Sequence, residues 1–268
     1  MTVEGLLRAA QIDPMEARIL LAHALGWTRV QLVIRAKEEL TPSQESAAGE
    51  LFGRRRNGEP IAYLTGVREF YGLNFNVTPD VLIPRHETEL LVELALARLP
   101  KSGCALDLGT GSGAIAVSIA HARADAQVTA TDASAAALAM ASRNAAQNGV
   151  AVRFLLSDWY RDIDGQFDLI VSNPPYIAAG DPHLLQGDLR FEPASALTDD
   201  ADGLTDLAAI IGGAPAHLLP GGWLLMEHGY DQASAVRLLL ECAGWQQAQS
   251  WRDLAGIERV TGAQRPAN

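Results

Sequence analysis

Asn173-Pro174-Pro175-Tyr176 follows the apolar run Phe-Asp-Leu-Ile-Val-Ser at 167–172. Each proline fixes its own φ and restricts the residue before it, so the four make a rigid, extended corner. Such a corner can aim the Asn173 side-chain oxygen and the Pro174 carbonyl, both acceptors, at one NH₂ group. A planar amide or aryl amine is a poor nucleophile because its lone pair is delocalised. Holding both N–H bonds while the lone pair faces an activated methyl group supplies positioning and charge stabilisation. No general base is needed at the transfer step, since the proton can leave afterwards, and Tyr176 can stack on the planar face of the substrate. The bland alternative is a Pro-Pro loop with Asn as turn former. The motif's place on a strand end beside a second polar cluster argues against it.

That second cluster is Asp107-Leu108-Gly109-Thr110-Gly111-Ser112-Gly113. Glycines after an apolar run let the chain turn tightly and a ligand approach the backbone, and the helix start that follows offers free N–H groups. Gly109, Gly111 and Ala114 also satisfy the dinucleotide fingerprint, so an NAD-type reading stays open here. Asp132 ends the next apolar run, where a carboxylate can accept from ribose hydroxyls, or else cap the following helix in competition with Ser134. Asp158-Trp159 ends a third: an Asp can bind an exocyclic amino group and an indole can pack on adenine, or the pair can be a capping Asp and a core-edge Trp. Together these describe an adenosine site. No Arg or Lys stands nearby to neutralise a pyrophosphate, which favours a cationic cofactor, S-adenosylmethionine, with S-adenosylhomocysteine as product.

These clusters need elements to hold them. Residues 1–70 read as helices, with apolar residues at three-to-four spacing and the starts Asp13-Pro14 and Thr41-Pro42. Val67 to Val77, aromatic and β-rich around Gly72, suggests a hairpin, and 71–85 is assigned to a hairpin and linker. Beyond it, 86–268 alternates buried-strand runs (105–109, 128–132, 152–158, 167–173, 223–229) with helical stretches (112–122, 134–147, 203–218). Such alternation implies α/β architecture: a doubly wound, Rossmann-like parallel sheet with ligands outside the strands' carboxyl ends, where every cluster above falls.

Composition sets the outer bounds. A chain of 268 residues, 48% hydrophobic and 20% charged, can build a real core. No apolar run approaches the roughly 18 residues of a membrane span, and Glu4, Asp13 and Glu16 stand where a signal peptide would be basic and then apolar. Cys104 and Cys242 are too few for a disulfide framework, which fits a reducing cytoplasm. Residues 1–70 hold nine basic and nine acidic residues, so the whole formal charge of −11 falls in 71–268. That balance disfavours nucleic acid as main partner, the only basic run being Arg54-Arg55-Arg56, which reads as a solvated helix face. His183 and His228 lack metal-ligand spacing and are assigned to structure or the rim. With no coiled-coil heptads, a monomer is expected.

The run Ala-Leu-Asp-Leu-Gly-Thr-Gly-Ser-Gly-Ala-Ile-Ala, the Asp132 and Asp158-Trp159 strand ends, and Ser-Asn-Pro-Pro-Tyr-Ile resemble class I S-adenosylmethionine-dependent methyltransferases, in the branch that methylates planar amino groups. Longer matches at 58–73, 82–93, 181–193 and 252–260 are similar to the HemK/PrmC family, the N5-glutamine methyltransferases of peptide chain release factors. The resemblance covers nearly the whole chain, most weakly residues 1–50. It implies a small N-terminal helical domain that helps dock the release factor, and a catalytic domain that methylates the glutamine amide of a Gly-Gly-Gln motif. It implies that Gly109, Thr110, Gly111, Ser112, Gly113, Asp132, Asp158, Trp159 and Asn173 bind the cofactor. Asn173, Pro174, Pro175 and Tyr176 would hold the substrate amide. His86 departs from the family's Ile-Pro-Arg-Pro pattern, implying a local loop change only. Arg85 and Glu87 are assigned either to closing the cofactor pocket or to a surface ion pair, Glu192 to shaping the substrate channel, and Arg54–Arg56 alternatively to an acidic release-factor surface or to ribosomal RNA carried along with it. Two other readings remain: a nucleic-acid amino-group (adenine N6-type) methyltransferase, and a non-catalytic or NAD-dependent Rossmann protein that leaves Asn173–Tyr176 without a task.

Overall fold

Capping chemistry sets the first helices. In the computed structural model, which describes residues 1–267, they are α1 (Val3–Ala9), α2 (Pro14–Leu25), α3 (Arg29–Ile34), α4 (Pro42–Arg56) and α5 (Ile61–Thr65). Asp13 accepts from the Met15 and Glu16 amides ahead of α2, and Thr28 and Thr41 form capping boxes with Gln31 and Gln44. These helices belong to a unit spanning Met1–Val67, packed on its own core of Val3, Leu20, Leu21, Leu32, Ala48 and Phe52. The arginine run is not a freely solvated face. Arg54 pairs with Glu59 (2.5 Å), Arg55 makes a two-pronged pair with Glu16 of α2 (2.8 Å each), and Arg56 donates to the Ala10 carbonyl (2.7 Å). Guanidiniums at the C-terminal end of α4 thus tie it to neighbouring helices.

The second unit begins at Arg68. A hairpin of β1 (Val67–Phe70) and β2 (Leu73–Asn76) turns at Tyr71 and Gly72, both with positive φ (52° and 75°), as a two-residue primed turn demands. Both strands fall within Val67–Val77, and the first precedes the 71–85 assigned to hairpin and linker, which takes in the turn and second strand. Residue 268, the last of the expected catalytic range, lies outside the described residues. Then follow α6 (Glu89–Arg98), β3 (Cys104–Leu108), α7 (Ala114–Ala122), β4 (Gln127–Asp132), α8 (Ala135–Gln147), β5 (Arg153–Leu156), β6 (Phe167–Ser172), α9 (Thr205–His217), β7 (Leu218–Glu227), α10 (Ala233–Cys242), β8 (Gln246–Arg252) and β9 (Glu258–Gln264).

The sheet order is β5-β4-β3-β6-β7-β9-β8. Five strands pair in parallel, and the order reverses between β3 and β6, which opens a crevice at their carboxyl ends. The antiparallel β9 and edge strand β8 were not expected. Gln246–Arg252 is mostly polar, as an exposed edge strand can be, and carries no buried-strand signal. Apolar layers cover both faces: Leu91, Val117 and Ile119 on one, Leu207, Ile210, Val236 and Leu240 on the other.

Candidate active site

The crevice holds a cavity of about 490 Å³ lined by Gly109, Thr110, Gly111, Ser112, Asp132, Asp158, Trp159, Asn173 and Pro175. A smaller cavity of about 60 Å³ lies against Pro174 and Tyr176. Leu82, Arg85, Asn173 and Ala196 border both. Asn173 therefore stands at the junction.

The glycine turn is held from two strand ends. The Thr110 amide donates to the Thr131 carbonyl (2.8 Å), and the Gly111 amide to Asp132 Oδ2 (2.8 Å). Asp132 Oδ1 accepts from the Ser134 amide (2.8 Å), while Ser134 itself caps α8 by accepting from Ala137. Asp132 is thus free of the capping role and turned to the turn and the cavity. Burial raises its pKa above the ordinary carboxylate range, against the pull of those two amides. Gly111, at φ +55°, has nothing within 4 Å where a Cβ would stand. Gly113 differs: it does not line the cavity, and its Cβ would meet Ala141 Cβ at 3.0 Å, so its smallness lets α7 and α8 approach.

Beneath the turn, Asp107 is buried and accepts from the Thr110 hydroxyl (2.6 Å) and the Ala116 amide (3.2 Å) through one oxygen. Its Oδ1 has no hydrogen-bond partner among the described residues. Burial pushes this carboxyl up to about 7. Trp159 has a left-handed backbone (φ 47°), and its ring lies 3.4 Å from where a Gly109 Cβ would be. Asp206, an acid on the same cavity that the sequence reading passed over, has its pKa raised by burial, with the Trp159 indole opposing the rise.

At the junction, Asn173 Nδ2 donates to Thr88 Oγ1 (3.3 Å), which lies on the side of the larger cavity. The Tyr176 hydroxyl, buried and pushed upward in pKa, donates to Glu227 Oε1 (3.3 Å) at the end of β7. Tyr176 thus turns its hydroxyl inward while its ring walls the smaller cavity. Arg85 pairs with Glu192, whose carboxylate also accepts from the Ile83 amide (3.0 Å). Burial raises the Glu192 pKa, and Arg85 offsets part of the rise. Arg85 and Glu192 are therefore one pair that ties the 82–86 segment to the 190s loop, not separate groups.

Thr88 and Glu227 escaped the sequence reading. Thr88 stands in the polar run Arg85 to Glu89 and Glu227 ends an apolar one, and only the fold brings Thr88 to Asn173 and Glu227 to Tyr176. His86 starts a 3-10 turn and contacts Glu89 (3.1 Å) at the surface. His228 is buried between the Gly229 carbonyl (2.8 Å) and the Thr261 hydroxyl (2.7 Å), and His183 is exposed beside Asp181. Among the described residues no group of His, Cys, Asp and Glu is placed to hold a metal.

Comparison with known proteins agrees with this architecture. Residues 2–66 match the PrmC N-terminal domain and residues 86–189 the methyltransferase small domain. The release factor glutamine methyltransferase of Burkholderia pseudomallei is 57% identical over 99% of this chain and 96% of its own, and that of Escherichia coli 46% identical over 95% and 93%. A Thermus thermophilus 16S rRNA N2 G1207 methyltransferase, solved with AdoMet and guanosine, shares the fold at 22% identity, with a TM-score of 0.56 over 74% of this chain and 49% of that one. With two domain models matched in chain order and relatives about half identical over nearly its full length, this chain belongs to the release factor glutamine methyltransferase family.

Proposed function

We propose that this chain transfers a methyl group from S-adenosylmethionine to the side-chain amide nitrogen of the glutamine in the Gly-Gly-Gln motif of peptide chain release factors. The observation that carries the reading is the junction at Asn173, with a cavity of cofactor size on one side and an amide-sized cavity on the other. The relatives' names supply the release factor, as a protein substrate at which the chain acts.

The residues present suit an adenosine ligand with a cationic methyl donor. Gly111 leaves open space at its missing Cβ, Asp132 offers a carboxylate already oriented by two amides, and Asp158 and Trp159 can take the adenine. The acidic rim of Asp132, Asp158 and Asp206 favours a cation over a pyrophosphate. When bound, the sulfonium supplies a methyl carbon open to attack. The chain's own part is to place the nucleophile. Asn173, its amide nitrogen engaged by Thr88, presents its oxygen to one N–H of the substrate amide, and the Pro174 carbonyl takes the other. As the new C–N bond forms and the C–S bond breaks, positive charge grows on nitrogen and both acceptors stabilise it. The extra proton on that nitrogen then leaves to solvent. Pro175 and Tyr176 wall the slot. A monomer working in the cytoplasm completes the reading; among the described residues no helix is long and apolar enough to cross a membrane.

The test is mass spectrometry of a purified class 1 release factor incubated with this protein and S-adenosylmethionine. One methyl increment on the Gly-Gly-Gln glutamine is expected. An unmodified release factor, with a methyl group appearing instead on DNA or RNA amines, would replace this reading with the nucleic-acid one.

A further inference from the structure

We infer that Gln232 is a positioning residue that pins the far end of the Asn173–Tyr176 corner, an inference that rests on the methyl-transfer reading above. Pro174 and Pro175 make the corner rigid, and a rigid piece is aimed only when both of its ends are fixed. The sheet fixes the near end: β6 pairs with β3 and β7, and the Ser172 hydroxyl donates to the Leu108 carbonyl (2.8 Å). But β6 ends at Ser172, and past Tyr176 the chain has left the sheet. Unless something else holds that end, the Pro174 carbonyl swings with it.

Gln232 stands at the N-cap of α10, yet its side chain accepts from no amide of that helix. It reaches instead to three main-chain groups of other segments. Nε2 donates to the Tyr176 carbonyl (3.0 Å) and to the Gly203 carbonyl (3.1 Å), and Oε1 accepts from the Gly229 amide (2.8 Å). Both amide protons and the oxygen are thus engaged, each by a backbone partner whose role as donor or acceptor is fixed. With its ends exchanged, the amide would set oxygen against two carbonyls and NH₂ against an N–H. The orientation of Gln232 is therefore determined, and it brackets the exit of the corner, the 199–205 loop and the turn after β7 together.

The 199–205 loop is itself stiff, because the Asp199 carboxylate accepts from the Ala201, Gly203 and Thr205 amides (2.9 Å each). Gly203, at φ +80°, comes so close that a Cβ would stand 2.4 Å from the Tyr176 carbonyl oxygen and 2.9 Å from Gln232 Nε2. Past Tyr176 the contact continues along the main chain. The Ile177 amide donates to the Leu197 carbonyl (2.9 Å) and the Ala179 amide to the Ala201 carbonyl (2.8 Å). Tyr176, Ile177 and Leu197 line the smaller cavity, so what fixes this strap also fixes the slot. Gln232 is not among the residues that line either cavity, and it acts on the site through the corner alone.

The experiment compares Gln232→Met, Gly203→Ala and their double variant in the full-length protein. Gln232→Met keeps the length of the side chain and removes all three bonds. It is expected to lower kcat on the release factor by about 10- to 100-fold, as misplacement of a reacting group does, with KM within about threefold and the Kd for S-adenosylhomocysteine within about twofold of wild type. Gly203→Ala should lower kcat in the same way, because its Cβ displaces the same carbonyl. The double variant should be no slower than the worse single one, since a released Tyr176 carbonyl can yield to that Cβ. A second readout needs no turnover: the Ile177 and Ala179 amides should exchange with solvent about tenfold faster or more in Gln232→Met, while the amides of β6 keep their protection. The inference is overturned if Gln232→Met keeps wild-type kcat, if it loses cofactor affinity in step with turnover as a general structural defect would, if the double variant shows the product of the two single losses, or if the amide exchange is unchanged. Should Gly203→Ala fail to fold, Gln232→Met decides alone. A wild type that methylates no release factor would overturn the glutamine reading instead, and the exchange measurement would still decide whether Gln232 pins the corner.

Discussion

Around the larger cavity most polar contacts run through the backbone, with the Gly111 and Ser134 amides on Asp132, the Thr110 amide on a strand carbonyl and the Ala116 amide on Asp107, the Thr110 hydroxyl on Asp107 being a side-chain exception. From the junction residues to the smaller cavity they run largely from side chain to side chain: Asn173, which borders both cavities, to Thr88 on the larger, Tyr176 to Glu227, Arg85 to Glu192. The difference matches what each half must do. A rigid nucleotide-sized ligand is recognised by a fixed turn, and fixed turns are cheapest to build from glycines and main-chain bonds. A weak amide nucleophile has to be aimed, and aiming needs acceptors whose direction other side chains set.

The strongest test of that division is Asn173→Ala. It should lower kcat/KM by about 10³-fold or more, some 4 kcal/mol of transition-state stabilisation, while calorimetry still detects cofactor binding weakened by less than about tenfold. If cofactor affinity fell as far as turnover, Asn173 would belong to the cofactor half and the division would fail. Asp132→Ala should do the reverse, raising the cofactor Kd about 10- to 100-fold, or roughly 1.4–2.8 kcal/mol, with kcat at saturating cofactor little changed. Unchanged affinity would return Asp132 to a purely local role in the turn. Gly113→Ala tests a third role, packing without binding. A Cβ there meets Ala141 at 3.0 Å in a left-handed backbone. The cost should be about 1–3 kcal/mol of stability, read as a lower Tm, with the cofactor Kd of the folded protein preserved.

The same division explains which features could be read from the chain. The backbone half announces itself, because a turn that needs three left-handed glycines after a buried strand leaves Gly109, Gly111 and Gly113 in five residues. Apolar runs likewise disclose the parallel strands, since the central ones are buried on both faces and therefore mostly apolar, and even the half-exposed edge strand β5 keeps Phe154, Leu155 and Leu156. The side-chain half shows only Asn173–Tyr176, whose prolines are local signals. Thr88 lies 85 residues from Asn173 and Tyr176 lies 51 from Glu227, and nothing local marks a long-range partner. Polar edge strand β8 was hidden for a related reason: its pairing with β9, not its side chains, makes it a strand. Arg54–Arg56 read as a solvated face because spacing along α4 cannot reveal that Glu16 and the Ala10 carbonyl stand opposite.

Each half also holds a buried carboxyl, Asp107 beneath the glycine turn and Glu227 behind Tyr176. Asp107 and Glu227 are each pushed by burial to about 7, Asp107 from an ordinary 3.8 and Glu227 from 4.5. Between those values the folded protein holds a proton that the unfolded chain has released, so each group's contribution to stability falls as pH rises from about 4 to about 7. His228 works in the opposite sense: burial lowers its pKa, and the stability that goes with its neutral form is lost as pH falls through the ordinary histidine range. Variant differences separate the contributions. Asp107→Asn should flatten the decline in Tm between pH 5 and 8 relative to wild type, as should Glu227→Gln, each removing its own share. The two should part in activity. A loss on acidification that reports Glu227 ionisation should vanish in Glu227→Gln, whereas Asp107→Asn should keep it, because Glu227 takes the hydroxyl of Tyr176 in the substrate half while Asp107 supports the glycine turn. An Asp107→Asn protein with a flat activity profile would show that the backbone half also helps aim the nucleophile.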